Sequence, residues 1–246
     1  MKYFYSSQYP VEIVLSENIN KKFSSHSHAG HYIISLCIKG SVAATLENKS
    51  LQLKENGFFV VPPFMPHQAD ITDNSILASL CIGKSFVSNY HPKEGTRILK
   101  MILESSKIQK QITKFQTERL IRVVPHVYRL HNTYNKEMEN DMLILYERLA
   151  SGFPDSLPLD SLAQDLYISK YHLIRKCKKN LGLTPHKFYL QNRIRQAQAL
   201  LLADKSVSRV SADMGFYDQS HFNKAFKNIT GISPAEYIAS STTLRL

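Results

Sequence analysis

Two stretches in the last third of the chain carry basic and amide side chains on one face of a predicted helix. Lysine, arginine and tyrosine make up this face in the first stretch, and glutamine, histidine, asparagine and lysine in the second. The residues are Lys170, Tyr171, Arg175, Lys178 and Lys179, and Gln219, His221, Asn223, Lys224 and Lys227. Such side chains neutralise phosphates and hydrogen-bond to base edges, the chemistry of nucleic-acid recognition. Basic helix faces are also common as ordinary solvated surface. The elements that carry these residues therefore have to distinguish nucleic-acid binding from a solvated surface.

The charge of the chain is unevenly distributed. Its 246 residues include 31 Lys and Arg against 20 Asp and Glu, a formal net charge of +11. Residues 158–246 hold 13 basic and 6 acidic residues, and so contribute +7 of that charge. This excess favours a polyanionic partner, either nucleic acid or an anionic membrane surface. A soluble protein with a high isoelectric point and no such partner is the plain alternative.

The two basic stretches belong to an internal repeat. The apolar positions of residues 159–166 recur in residues 207–214 at an offset of 48, and after the turn the offset becomes 49. The aligned apolar pairs after the turn are Leu173 with Phe222 and Cys177 with Phe226. Each copy is typical of a helix, a tight turn and a second helix. Two copies in register favour DNA binding over a merely solvated surface.

A further helix is predicted to join the two copies. It begins after Thr184-Pro185, an N-cap followed by proline at the first helical position. A helix of about 19 residues is about 28 Å long, close to the ~34 Å of one DNA turn. Ser233 and Glu236 form the capping box of a last helix. We therefore expect an all-α C-terminal domain of about seven helices with two helix-turn-helix units.

The first ninety residues predict short strands instead. Apolar runs at 33–38, 42–46 and 58–61 are separated by Gly, Asn and Pro, which is typical of an antiparallel sandwich or barrel. From about residue 95 to residue 149 the apolar spacing becomes helical. The fold class is thus α+β, with an N-terminal domain over 1–150, a linker over 151–157 and a DNA-binding domain over 158–246.

Cysteine content and hydropathy point to the cytoplasm. Cys37, Cys81 and Cys177 are too few for a disulfide framework, and buried thiols are the simplest interpretation. The N-terminal residues lack the apolar core of a signal peptide, and no apolar run approaches the ~20 residues that span a bilayer. We therefore expect a cytoplasmic protein without membrane association.

The second copy of the repeat resembles the AraC/XylS family of bacterial transcription regulators. The resemblance rests on the block Gly-Phe-x-Asp-Gln-Ser-x-Phe at 215–222, then Phe-Lys at 226–227 and Gly-x-Ser-Pro at 231–234, and it covers residues 157–240. Ser211 and Cys177 depart mildly from the family's usual Ala and Phe. Membership implies a sequence-specific DNA-binding transcription regulator, more often an activator, whose two second helices enter adjacent major-groove segments.

The resemblance also implies roles for individual residues. By position in the motif, the base-reading residues are Lys170, Tyr171 and Arg175 in the first unit and Gln219, Ser220, His221 and Lys224 in the second. Arg175 suits guanine and Gln219 suits adenine, because each pairs bidentately with that base. Phosphate contacts fall to Lys178, Lys179, Arg193 and Lys227. A solvated surface charge is the alternative for each lysine.

The first ninety residues resemble, more loosely, the cupin-like β-barrel arm of the same family. The residues that carry this resemblance are His26-Ser27-His28, Gly40, Gly57, Pro62-Pro63 and Pro66-His67. In metal-binding cupins such histidines gather around one ion, so His26, His28 and His67, with His31 near the fourth position, are candidates for a transition metal. The usual fourth ligand, a glutamate, has no counterpart here. The same histidines could instead line a pocket for a small organic effector.

The family precedent implies a homodimer that acts on double-stranded promoter DNA and contacts RNA polymerase. The apolar stripe from Leu120 to Leu130 suits a dimer seam, and an intramolecular core is the competing interpretation. Two other functions compete with an effector-controlled regulator. One is a metal-cupin enzyme with a basic appendage, which only the histidines support. The other is a non-specific architectural DNA binder. No catalytic residues are assigned.

Overall fold

The computed structural model describes residues 1–17, 19–137, 140–151, 157–203 and 206–245. Its strands are β1 Lys2–Ser6, β2 Val11–Glu17, β3 Lys21–His26, β4 His31–Lys39, β5 Ser41–Leu46, β6 Lys49–Lys54, β7 Phe58–Val61, β8 His67–Ile71, β9 Ile76–Gly83 and β10 Ser241–Leu244. Its helices are α1 Lys84–Asn89, α2 Pro92–Leu103, α3 Ser106–Gln109, α4 Lys114–Glu137, α5 Asn140–Ser151, α6 Leu159–Asp165, α7 Lys170–Leu181, α8 Pro185–Leu202, α9 Val207–Asp213, α10 Gln219–Thr230 and α11 Pro234–Ser240.

The strands form two sheets, which together make the cupin-like N-terminal domain. One sheet has the order β10-β1-β2-β9-β4-β7, and the other has the order β3-β8-β5-β6. Apolar residues of both sheets form one buried cluster, which includes Ile33, Val42, Phe59 and Ile71. The pairing within each sheet is antiparallel except between β1 and β10, which run parallel.

Helices α1 to α4 cover the opposite face of the larger sheet. Their apolar side chains share a buried cluster with residues of β2, β4 and β9, because alternate strand residues point to opposite faces. The stripe predicted as a dimer seam lies here. Leu120, Val123, Val124 and Val127 are buried in this cluster, and Leu130 packs against it. The competing interpretation therefore holds for this stripe: it forms an intramolecular core, and these four side chains are not available to a second copy.

Several predicted strands match the structure closely. The runs at 33–38, 42–46 and 58–61 fall within β4, β5 and β7. The run at 58–61 is not wholly buried, however, because Phe58 is an exposed large hydrophobic residue while Phe59 and Val61 are in the core. The alternation of a strand at the edge of its sheet explains this difference.

The repeat has the same backbone geometry in both copies. A residue in each turn has a positive φ, 54° at Tyr167 and 65° at Gly215, and is followed by an apolar side chain, Ile168 or Phe216. The amide of Ile168 then donates to the carbonyl of Ala163, and the amide of Phe216 donates to the carbonyl of Ser211, both at 3.0 Å. Glycine adopts this conformation without steric cost, whereas Tyr167 does so with its side chain 98% exposed.

The C-terminal part differs from an all-α domain at its two ends. Helix α5, predicted as part of the first domain, packs on α8, and its Leu145, Tyr146 and Leu149 share a cluster with the first helix-turn-helix unit. Residues 241–244 form a strand, β10, where only helices were expected. The described residues between 159 and 240 form six helices, and α5 adds a seventh that packs in the core of the first unit.

Residues 152–156 of the predicted linker lie outside the described residues, so the domain boundary stays a prediction. In the part of the chain that the structure describes, no helix combines the length and hydropathy needed to span a membrane.

Candidate nucleic-acid interface and interdomain cavity

The two basic stretches form α7 and α10, the second helices of the two units. Each begins at a side-chain cap: the Ser169 hydroxyl accepts a hydrogen bond from the amide of His172, and the Asp218 carboxylate accepts one from the amide of His221. Each ends at a glycine in the left-handed conformation, Gly182 or Gly231. The apolar faces of both helices are buried, which leaves the polar faces outward.

All of the predicted base-reading residues are exposed. They are Lys170, Tyr171, Arg175, Gln219, Ser220, His221 and Lys224. Tyr171 is 78% exposed. Lys170 forms an ion pair with Asp160 at 3.0 Å, so it must exchange this partner to contact DNA.

The predicted phosphate contacts divide into two groups. Lys178, Lys179 and Lys227 are exposed at the C-terminal ends of α7 and α10. Arg193 is engaged within the second unit: its guanidinium donates to the carbonyl of Met214 and lies 4.4 Å from the centroid of the Phe216 ring. These contacts fix α8 against the turn, so Arg193 has a packing role in this structure, and phosphate contact by it would require those contacts to break.

Helix α8 joins the two units, as the sequence predicts. Its 18 residues span about 27 Å at 1.5 Å per residue. Its Phe188, Ile194, Ala197 and Leu201 are buried. Arg195 on the same helix lines a cavity between the two domains.

This interdomain cavity has a volume of about 180 Å³. The barrel contributes apolar walls, including Val14, Phe23 and Leu77, together with the four histidines. The DNA-binding domain contributes the remaining walls, which are Gln191, Ile194, Arg195 and Gln198 from α8 and Ile229 and Thr230 from α10. Both the joining helix α8 and the C-terminal end of α10 therefore line this cavity.

The structure brings the four predicted histidines together. The ring centroids of His26 and His67 are 4.2 Å apart, and those of His28 and His31 are 4.5 Å apart. They come from the end of β3, the following loop, and the starts of β4 and β8. The strand register places His26 directly opposite His67.

Desolvation lowers the pKa of all four imidazoles and so favours their neutral form. Desolvation lowers the pKa of His67 to about 3 and lowers the pKa of His26. Desolvation also places the pKa values of His28 and His31 well below the usual value, with further lowering by neighbouring histidines and by Arg195. The Nδ1 atoms of His26 and His67 lie 2.8 and 3.0 Å from the carbonyls of Ser24 and Met65, so each donates from Nδ1 and leaves Nε2 unprotonated.

Neutral imidazoles are suitable ligands for a transition metal. The candidate ligand atoms of His26, His28 and His67 lie within 4.8 Å of one another. Two nitrogens on one tetrahedral zinc ion lie roughly 3.4 Å apart, given a Zn–N distance of about 2.1 Å. The three rings fit an ion in type, and would have to close inward to hold one. The metal site stays a prediction, as does the place of His31 in it.

Arg195 is the charged residue that links the domains in this cavity. Its Nη2 lies 2.5 Å from Oε2 of Glu12 on β2. The Glu12 side chain is 8% exposed and that of Arg195 is 42% exposed, because the guanidinium reaches into open cavity space. Sequence reasoning missed this pair, since nothing local connects residues 183 positions apart.

The three cysteines are buried thiols, as expected. Desolvation raises the pKa of Cys81 to about 12 and that of Cys177 to about 12. Desolvation also raises the pKa of Cys37. Their protonated state at neutral pH leaves them poorly reactive.

Two family models match this chain, one in each domain. A model described as an AraC-like ligand binding domain matches residues 9–83, and a model described as a helix-turn-helix domain matches residues 162–240. The matched segments hold the four histidines and both helix-turn-helix units. The chain belongs to the AraC family of helix-turn-helix regulators.

Curated relatives are regulators of the same family. The regulator MtrA of Neisseria gonorrhoeae is 36% identical over 96 residues, which is 38% of this chain and 31% of MtrA. An uncharacterised helix-turn-helix regulator of Haemophilus influenzae is 23% identical over 85% of this chain and 86% of its own length. The chain covers only 27% to 32% of the length of four curated relatives, MtrA included.

Solved structures show the same two-domain fold. ToxT of Vibrio cholerae superposes with a TM-score of 0.58 at 15% identity, over 94% of this chain and 98% of that one. A ToxT structure with a bound unsaturated fatty acid superposes with a TM-score of 0.53 at 14% identity, over 94% of each chain. At these identities the likeness establishes the fold and nothing more.

Proposed function

We propose that this protein is a sequence-specific DNA-binding transcription regulator whose DNA contacts are controlled by a small molecule in the interdomain cavity. The proposal rests on one observation: both domains contribute residues to the wall of this cavity. The joining helix α8 and the end of α10 line the same space as the barrel histidines. A molecule that prefers one arrangement of these walls shifts the position of the DNA-binding helices by its differential affinity.

The DNA-binding part of the proposal rests on the paired helices. Both present exposed donors of the types that read base edges, and a helix of about 27 Å joins the two units. An architectural binder would need only the phosphate-contacting lysines. The exposed Gln219 and Arg175 favour sequence reading, because each makes bidentate pairs with one base.

The effector that best fits the cavity is an aliphatic or aromatic carboxylate. Arg195 offers a guanidinium fork, and the wall beyond it is mostly apolar. The neutral imidazoles of His28 and His31 can each donate one hydrogen bond without adding charge, whereas Nε2 of His26 and His67 can only accept one. The fatty acid bound to ToxT, a protein of the same fold, is of this chemical class.

Other parts of the proposal follow family precedent. We infer a cytoplasmic homodimer that recruits RNA polymerase and acts as an activator, and that is not an enzyme. The curated relatives are transcriptional regulators, which supports this over a metal-cupin enzyme. Because the apolar stripe at 120–130 is buried in the core of its own chain, a dimer must use another surface.

Selection of bound fragments from sheared bacterial DNA by the purified full chain tests DNA recognition. The proposal expects a recurrent motif, bound at least ~10³-fold more tightly than random DNA at the same salt concentration. If random DNA competed with the selected motif at equal affinity, the result would contradict sequence-specific recognition and favour an architectural DNA binder.

The effector class is tested separately by thermal shift with a series of monocarboxylic acids of increasing chain length. Their methyl esters are the matched ligands without charge. The acids, and not the esters, should raise the melting temperature, and Arg195→Met should abolish the difference. Equal shifts for acids and esters would contradict a carboxylate effector.

A further inference from the structure

A strand of the DNA-binding domain completes the sheet of the other domain. β10 pairs in parallel with β1, from Tyr3 opposite Ser241 to Ser6 opposite Leu244. Both strands lie outside the segments that the two family models match, which are residues 9–83 and 162–240. The pairing is therefore a feature of this chain beyond its recognised domains.

Side chains reinforce the pairing. The amide and hydroxyl of Ser7 both donate to the carbonyl of Leu244, at 3.2 and 3.3 Å. The ammonium of Lys107 donates to the carbonyl of Thr243 at 2.9 Å, and the Thr243 hydroxyl donates to the Tyr5 hydroxyl at 2.5 Å. Leu244 is 2% exposed within the core that α2 and α4 form on the larger sheet.

The exchange between the domains is reciprocal. Tyr3 on β1 is buried in the core of the second helix-turn-helix unit, with its ring centroid 4.8 Å from that of Tyr237 on α11. Helix α11 ends at Ser240 and β10 begins at the next residue, so no linker lies between them. The strand therefore moves with α11.

The pairing also connects to the cavity. Tyr5 on β1 lies opposite Glu12 on β2 and opposite Thr243 on β10. Glu12 is the partner of Arg195. One row across the sheet thus joins the ion pair in the cavity wall to the strand that follows α11.

We propose that Ser241–Leu244 is a releasable strap that docks the second helix-turn-helix unit on the barrel. Four residues make a short strand at a sheet edge, and Leu244 is its single buried anchor while the other three are half-buried. Short edge elements with few buried contacts open locally at low free-energy cost. The strap holds α10 at the cavity when paired and frees it when unpaired. This device requires neither DNA nor an effector, so it goes beyond the proposed function.

Hydrogen exchange of the full-length protein measured by mass spectrometry tests the strap. Leu244→Asn removes the anchor, and Arg245→Asn makes the same polar change at the next, exposed position. The Leu244 variant should exchange at least tenfold faster in peptides covering residues 1–8 and 238–245. The Arg245 variant should match the wild type, and both should retain wild-type exchange in α4 and α7.

Three results would overturn the proposal. Unchanged exchange of residues 1–8 in the Leu244 variant would show that the pairing does not depend on this anchor. Faster exchange throughout α2 and α4 would show that β10 is an integral part of the barrel core and not a strap. A chain ending at Ser240 provides a second variant, and its radius of gyration by X-ray scattering should exceed that of the wild type. An unchanged radius would equally contradict the proposal.

DNA is absent from all of these measurements, so failure of the DNA-binding proposal cannot affect them.

Discussion

Glu12 on β2 and Arg195 on α8 form an ion pair across the domain boundary, with Oε2 and Nη2 2.5 Å apart. Helix α8 joins the two helix-turn-helix units, and β2 lies beside the strand that carries Tyr3 into the core of the second unit. The pair therefore connects the barrel to the helix that joins α7 and α10, the two helices predicted to read DNA.

Arg195→Met should lower the free energy of unfolding by about 1–3 kcal/mol, because it leaves the Glu12 carboxylate buried and unpaired. This estimate is below the usual cost for a fully buried pair, since the Arg195 side chain is 42% exposed. Urea denaturation measures the change, and Arg209→Met at an exposed site on α9 is the control. The double variant with Glu12→Gln should recover part of the loss, and no recovery would contradict the assigned cause.

Gln219→Ala should weaken binding to the selected DNA motif by about 1–3 kcal/mol and relax the preference at one position, because a bidentate base contact is lost. Lys179→Ala should instead weaken binding to all sequences and reduce the salt slope by about one. Fluorescence anisotropy on motif and scrambled duplexes across a salt series separates the two effects. Equal loss on both duplexes for the Gln219 variant would falsify its reading role.

Acidification should destabilise the protein through the buried histidines. The folded state lowers the pKa of His67 to about 3 from an unfolded value near 6.5, so the unfolded state binds protons first as pH falls. The contribution of His67 to the free energy of unfolding is fully present above about pH 6.5 and is lost progressively as the pH falls towards 3. Between pH 7 and pH 5 this loss amounts to about 2 kcal/mol.

His67→Gln should reduce this pH dependence, because the amide can donate to the Met65 carbonyl without titrating. The measurement is urea denaturation at pH 7 and pH 5. His126→Gln on the exposed face of α4 is the matched control and should leave the slope unchanged. A His67 variant with the full wild-type slope would show that this imidazole does not contribute to the pH dependence.

The two turns should respond differently to the same kind of substitution. Gly215→Ala should cost about 1–2 kcal/mol, because a Cβ is strained at a φ of 65°. Tyr167 already bears such a strain at the equivalent position, so Tyr167→Gly should cost little or stabilise the first unit. Thermal unfolding by calorimetry compares them, and an equal loss from both substitutions would contradict the equivalence of the turns.

The local pattern of the sequence was enough to predict the repeat. The spacing of Leu162, Leu173, Val210 and Phe222 sets which helix faces are buried, and caps such as Ser233 mark where helices begin. These signals act within a few residues of one another, so the helix-turn-helix units and their exposed reading faces follow from them. The gathering of the four histidines followed from the resemblance to cupins rather than from spacing.

Only the tertiary structure decided how the domains meet. Arg195 could not be separated from other outward arginines by periodicity, and its partner Glu12 lies 183 residues away. The stripe at 120–130 has the same pattern whether it faces a sheet of its own chain or a second copy. Residues 241–244 form a strand because the edge of β1 offers backbone partners to a segment whose own sequence is too short to specify pairing. Local periodicity determines which face of an element is apolar, whereas the surface that covers that face depends on contacts between residues distant in the chain.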